Sequence, residues 1–202
     1  TGSHNLTFGP VADSPSGAHA TVSNASGTAI NFGSSTTITF TNGVATVSSG
    51  KNGVMTLVKA ASASITVSDG TISNGAGLAV TVSPAAAAKL GWTHATSTGS
   101  LTPPCLFTCT GTGLGSGNFE ANVSVTDSSG NTVSGVGSEH TVSVTATAGG
   151  TITGGALTVA ATGPAESTTR FTYTPNSKSS VTVTAATSLG TSYTQATASM
   201  TR

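Results

Sequence analysis

The chain has 202 residues, a formal net charge of +0 and only 6% charged residues, against about 25% in an ordinary globular domain. Its length exceeds the ~100–150-residue mode for a single domain, which leaves one large or two small domains. Lys51, Lys59, Lys89, Lys178, Arg170 and Arg202 are scattered with no two adjacent. The basic stripe that neutralises phosphates and the basic amphipathic helix that lies on a membrane are therefore both missing, which excludes nucleic-acid and peripheral-membrane partners. No apolar run approaches the ~18 residues that suggest a bilayer span. The N-terminus shows no charged-then-apolar leader, as expected of a mature product or an excised fragment. Thr1-Gly2-Ser3-His4 reads as a tag remnant, which would remove His4 from functional argument.

The hydrophobic fraction, 36%, is rich in Val, Ile and Ala that alternate with Thr and Ser. That pattern predicts sheet. Water is met by hydroxyls instead of ions, a composition that suits a secreted or cell-surface setting.

In chain order, Asn5 to Phe8 is a short extended run closed by Gly9-Pro10, and His19 to Val22 and Ala29 to Phe32 flank a turn at Asn24 to Gly27. Thr36 to Phe40 and Val44 to Val47 flank Asn42-Gly43, a pair suited to the positive φ values of a hairpin turn. Val54 to Val58, Ile65 to Val67 and Leu78 to Val82 complete a first unit. The stretch Val80 to Thr93 is the join, where alternation stops at Pro84, alanines follow, and Lys89 to Thr93 starts a new strand. A polar loop then carries Pro103-Pro104, Cys105, Cys109 and several glycines. Phe119 to Val125 alternates with Phe119, Ala121, Val123 and Val125 on the core face, and Ser129-Gly130-Asn131 turns the chain. His140 to Thr145, Ala156 to Ala160, Arg170 to Tyr173, Val181 to Val183 and Ser192 to Met200 are the remaining strands. No segment has helical period. Short strands with turns every ~8–12 residues predict a sandwich or barrel. Leu90-Gly91-Trp92 stands to the second unit as Leu6-Thr7-Phe8 stands to the first, the mark of a tandem repeat.

The succession Asn-Gly turn, Val44-Ala45-Thr46-Val47, Ile65-Thr66-Val67-Ser68-Asp69-Gly70, Val80-Thr81-Val82-Ser83-Pro84, alanine run and Lys89-Leu90 resembles the tandem immunoglobulin-like repeats of large bacterial surface proteins, including invasin/intimin-type relatives. The stretch Val123 to Asn131 is similar to the early strand and turn of such repeats, and the first unit shows no clear counterpart of it. The resemblance implies an all-β chain of two tandem immunoglobulin-like β-sandwich domains, 1–84 and 85–202. It implies a structural or adhesive stalk segment, with neighbouring domains or identical subunits as partners. Two alternatives stand beside it, and the shorter first domain motivates the first. One is a filament or pilus subunit that assembles by donor-strand exchange, because an incomplete sandwich exposes a strand edge. The other is a glycan-binding module using Trp92, Tyr173 and Tyr193.

Cys105 and Cys109 would lie roughly 13 Å apart in a straight strand at ~3.3 Å per residue. A disulfide needs Cα atoms within ~7 Å, so pairing requires the segment to turn. A structural disulfide is the expectation, and with it an oxidising compartment. Two thiols without a nearby histidine are too few ligands for a metal. Asp69 and Asp127 sit in turns, where Asp commonly bonds local backbone, and Glu120 faces away from the core. Asp13, Glu139 and Glu166 complete the carboxylates. No G-x-S-x-G elbow is present, so no catalytic residue, metal or cofactor is assigned and the chain is expected not to be an enzyme. His140, in phase with Val142 and Val144, is expected to be a partly buried strand residue. Trp92 could stack on a sugar, although an aromatic ring gains most by burial. Lys59 and Gln195 are the candidates for an intramolecular side-chain cross-link of the Lys-to-Asn or Thr-to-Gln kind, which needs a buried carboxylate beside it.

Overall fold

The computed structural model describes residues 1–115, 117–147, 149–176, 180–187 and 193–201. Lys178, Arg202 and the start of the strand expected from Ser192 lie outside them. The fold is all-β, built of mainly antiparallel sheets as in immunoglobulin-like sandwiches, and no helix occurs among the described residues. The chain forms two compact units, Thr1–Ser83 and Pro84–Arg202.

The first unit contains β1 (Gly2–Gly9), β2 (Thr21–Ser23), β3 (Ala29–Asn31), β4 (Ser35–Phe40), β5 (Met55–Thr56), β6 (Ser62–Ser68) and β7 (Leu78–Thr81). One sheet has the order β4-β1-β6-β7 and the other β3-β2-β5. Phe8, Val22 and Ile38 form its buried cluster, with Leu6, Phe32, Phe40, Ala45 and Val67 packed around them. The N-terminal residues are not an appendage. Gly2, Ser3 and His4 pair with Phe40, Thr39 and Ile38, and the His4 ring meets Phe40 edge-on at 5.5 Å. The expected Asn42-Gly43 hairpin is reduced to its tip. Thr41 and Val44 form an isolated bridge, and Ala45 to Val47 is not a strand.

The second unit contains β8 (Lys89–Ser97), β9 (Ser100–Thr102), β10 (Thr108–Thr112), β11 (Phe119–Thr126), β12 (His140–Ala146), β13 (Gly150–Thr153), β14 (Ala156–Val159), β15 (Phe171–Pro175), β16 (Ser180–Thr187) and β17 (Ala196–Thr201). Its sheets are β13-β15-β11-β8 and β14-β12-β16-β17-β10-β9. Alternation places Phe119, Ala121, Val123, Val125, Phe171 and Tyr173 of one sheet against Val142, Val144, Val183, Ala185, Ala198 and Met200 of the other. The glycine-containing segment expected as loop is partly strand. Gly111 lies in β10, where a Cβ would come within 2.6 Å of Met200 Sδ. A side chain there would have to displace the Met200 thioether from the flank of β10.

The two units share a turn that the sequence comparison missed. In the first, Asn24 N–H donates to Thr28 O, Gly27 N–H to Asn24 O, and the N–H groups of Ser26 and Thr28 to Asn24 Oδ1. In the second, Asp127 N–H donates to Asn131 O, Gly130 N–H to Asp127 O, and the N–H groups of Ser129 and Asn131 to Asp127 Oδ1. Both turns require left-handed glycine, at φ 97° for Gly27 and 88° for Gly130. The first unit therefore does have a counterpart of the Asp127 turn. Because these turns lie farther apart in the chain than Phe8 and Trp92, no single repeat period relates the units.

Asp127 does more than Asn24. Its second oxygen accepts Ala85 N–H at 3.0 Å and Asn131 Nδ2 at 2.9 Å, tying the residue after Pro84 into the second unit. Burial disfavours its charged form, but hydrogen bonds from Asn131, Ala85 and Ser129 outweigh burial and hold its pKa below the ordinary carboxylate value. A depressed folded pKa adds stability that is complete above the unfolded pKa of ~3.9 and is lost as pH falls through the folded value. Asp127→Asn is expected to cost about 1–2 kcal/mol, because an amide supports the turn at Asn24 but leaves Ala85 N–H without its charged acceptor. Asp127→Ala, which removes both oxygens, is expected to cost about 3 kcal/mol. Urea unfolding at neutral pH checks the order. In strong acid the Asp127→Asn protein and the parent should converge.

Candidate functional site

The residues expected to carry a ligand are mostly core. Trp92 is 1% exposed, its ring 5.2 Å from Phe171 and 6.0 Å from Phe119. Tyr173 is also 1% exposed, its hydroxyl donates to Gly149 O at 3.3 Å, and burial raises its pKa. Neither ring faces solvent. Tyr193 is half-buried and packs edge-on against His140 at 5.7 Å, and His140 is buried in phase with Val142 and Val144.

Cys105 and Cys109 are bonded, with Cα atoms 4.3 Å apart because the chain turns after the prolines before entering β10. Their loop sits where the two sheets meet. Leu106 is buried, its carbonyl accepts Trp92 N–H from the outer edge of β8 at 2.8 Å, and the next carbonyl, of Phe107, accepts Thr197 N–H from β17 at 3.0 Å. The Lys89 ammonium lies 4.2 Å from the Phe107 ring centre. Just before the loop, Leu90 N–H donates to Thr194 O and Thr194 N–H to Ala88 O. Just after it, Thr108 to Gly111 run parallel to Thr197 to Met200. Backbone groups of β8 and β17 that would otherwise be open edge are thus engaged within the unit.

The outer face of β13-β15-β11-β8 carries the polar groups. Opposite Ala121, β8 has one residue too many, and the resulting bulge puts His94 at φ 49°. Glu166 pairs with Ser124 beside β11. Its carboxylate reaches across β11, where Oε1 accepts the Thr93 hydroxyl and lies 3.3 Å from His94 Nε2. Along the same face, Thr172 donates to Glu120 at 3.4 Å, Arg170 lies 3.6 Å from Glu120, and Asn122 Nδ2 donates to Ser167 O at 2.8 Å. Isolated Glu, His and Arg in the sequence gave no signal of this assembly, since it depends on the bulge and on the pairing of Glu166 beside β11. Glu166 and Glu120 are each engaged by a hydroxyl and a basic side chain. Such half-exposed pairs contribute roughly 0–1 kcal/mol each.

Among the described residues, no three of His, Cys, Asp and Glu are grouped so as to hold a metal ion. No helix among them is long and apolar enough to cross a membrane. A concavity of about 50 Å³ in the first unit is lined by Val11, Ala20, Leu57, Val58, Lys59 and Val82, among others. It is far below the ~300–1,000 Å³ of ligand pockets. No carboxylate is among the residues that line it beside Lys59, and Gln195 is exposed. Asp69 is a turn residue that accepts from Ile72 N–H and Thr71 N–H, and these bonds lower its pKa.

Replacing both cysteines by serine is expected to cost the second unit about 2 kcal/mol, the chain-entropy value for so short a loop. Leu106→Ala should cost 2–5 kcal/mol on the scale of buried leucines, roughly as much or more, because the loop anchors through that side chain. Thermal unfolding of the three proteins under oxidising conditions checks both values.

No family model matches the chain, and no curated protein matches it. Among solved structures it is similar to domains 4 and 5 of the S-layer protein SbsC, with 17% identity over 100% of each chain and a TM-score of 0.28. An overlay this weak carries no statement about this chain's fold or role.

Proposed function

We propose that the chain is a structural segment of a secreted or cell-surface protein, two immunoglobulin-like domains divided near Pro84 that act as a spacer or stalk. The observation behind this reading is how the second unit holds its ends. The segment entering it, from Ala88 to Leu90 and again from Thr108 to Gly111, is hydrogen-bonded to the stretch Thr194 to Met200. In the second contact the strands run parallel. Tension applied across this unit then loads several hydrogen bonds in shear at once instead of opening them one at a time. Polar groups on the outer face satisfy one another, and the large aromatic rings fill the core, as suits a spacer more than a receptor. Its partners are adjacent domains or other copies.

One observation favours the filament alternative. Among the described residues, the exposed large apolar side chains Val44, Val47, Met55, Ile72 and Leu78 all belong to the first unit, and Leu78 lies on the edge strand β7. An apolar edge is a ready partner for another strand. Nothing comparable favours glycan binding, for which Trp92 and Tyr173 would have to be at the surface.

Pulling single chains by their ends separates these readings. The spacer reading expects two unfolding events, with the second unit yielding at the higher force, and Thr110→Pro lowering that force alone by breaking the β10 ladder. Equal forces, or no effect of Thr110→Pro, would sink it. Light scattering across concentrations addresses the alternative: a constant monomer mass supports the spacer, and polymers lost in Leu78→Lys support the filament.

A further inference from the structure

We propose that Asn42 is a self-modifying residue, whose carboxamide is converted to aspartate or isoaspartate by its own backbone while the other Asn-Gly pairs of the chain are held intact. The sequence has three such pairs, Asn42-Gly43, Asn52-Gly53 and Asn74-Gly75. In each, the following residue lacks a side chain, so its nitrogen can reach the asparagine Cγ. A bond forms between the glycine nitrogen and Cγ, the Cγ–Nδ2 bond breaks, and the displaced proton leaves on ammonia. Water then opens the five-membered succinimide at either carbonyl, giving aspartate, or isoaspartate with the main chain routed through Cβ. No oxidant or cofactor is needed.

The reaction requires a side chain free to rotate and a glycine nitrogen free to attack, and the structure sorts the pairs on both counts. Asn52 is clamped: its Oδ1 accepts Thr39 N–H at 2.8 Å, and its Nδ2 donates to Thr39 O at 2.9 Å and Thr46 O at 3.1 Å. Gly53 N–H is also engaged, donating to Ser23 O at 2.8 Å. Asn74 accepts Val67 N–H at 2.9 Å and donates to Ile65 O at 3.1 Å, and Gly75 N–H donates to Ser73 Oγ at 3.4 Å. Asn42 is exposed, and neither its carboxamide nor Gly43 N–H has a hydrogen-bond partner among the described residues. Its turn is closed by the isolated Thr41–Val44 bridge, at 2.9 and 3.0 Å, with Asn42 N–H donating to Thr1 Oγ1 at 3.1 Å and Asn52 holding Thr46 O farther along, and no strand ladder continues past the bridge. Opening it to a reactive geometry therefore disturbs little else. The product would place a new negative charge beside exposed Val44 in a chain of formal net charge +0.

The test is incubation of the folded chain in mildly alkaline heavy-oxygen water, followed by peptide mapping by mass spectrometry. Heavy oxygen is expected to enter the Asn42 peptide at least about tenfold faster than the Asn52 or Asn74 peptides, a ratio equivalent to ~1.4 kcal/mol in barrier. In denaturant the three rates should converge, since the fold is what separates them. Gly43→Ala should slow the Asn42 peptide in denaturant as well. Equal labelling of the three peptides in the folded chain would overturn the proposal. So would an Asn42 peptide that labels only when the chain is denatured.

Discussion

The second unit depends on its outermost strands finding backbone partners inside the same unit. A chain with 6% charged residues cannot defend open strand edges with charge, the usual protection against pairing with neighbours. It engages the flanks of β8 and β17 instead. Thr194 takes the start of β8, the carbonyls of Leu106 and Phe107 take one amide from each sheet, and β10 takes the flank of β17. The disulfide fixes the one stretch that could not hold this position by strand pairing, because it has to turn between the sheets. Core and seam support one another, since Trp92 is both the tryptophan of the aromatic cluster and a donor to the loop.

The first unit solves the same problem differently and less completely. Its buried cluster is small, and among the described residues it alone exposes large apolar side chains. Asparagine side chains fasten its loops, with Asn24 inside its own turn, Asn52 on Thr39 and Thr46, and Asn74 on Val67 and Ile65. A neutral carboxamide offers a donor and an acceptor at once and can stand in for a missing strand neighbour. The same residue type followed by glycine is chemically labile wherever it is left unfastened. Fastening and lability thus come from one sequence preference.

Periodicity made the fold class legible, because alternation of Val and Ala with Thr and Ser survives in nearly every strand. Phe119 to Val125 and His140 to Val144 face the core as their spacing requires. What periodicity could not show was neighbourhood. The strands β9, β10 and β13 are short or glycine-containing, and in β10 the place of a side chain at Gly111 is taken by Met200. The shared Asn24 and Asp127 turns escaped notice because Asn and Asp differ as letters while presenting the same acceptor oxygen. Trp92 and Tyr173 were equally suited by type to a surface site, and only packing decides that they are interior. The Glu166, Thr93 and His94 assembly depends on a bulge in β8 and on the pairing of Glu166 with Ser124, neither of which a linear pattern carries.

Amide hydrogen exchange, resolved to single residues in the native chain, tests the dependence on the seam most directly. The amides of Leu90, Trp92 and Thr197 should exchange as slowly as those of Val123 and Val183 in the central strands, and should do so together. If these three exchanged like loop amides while the central strands stayed protected, the seam would be a frayed edge, and the unit would be held by its core alone.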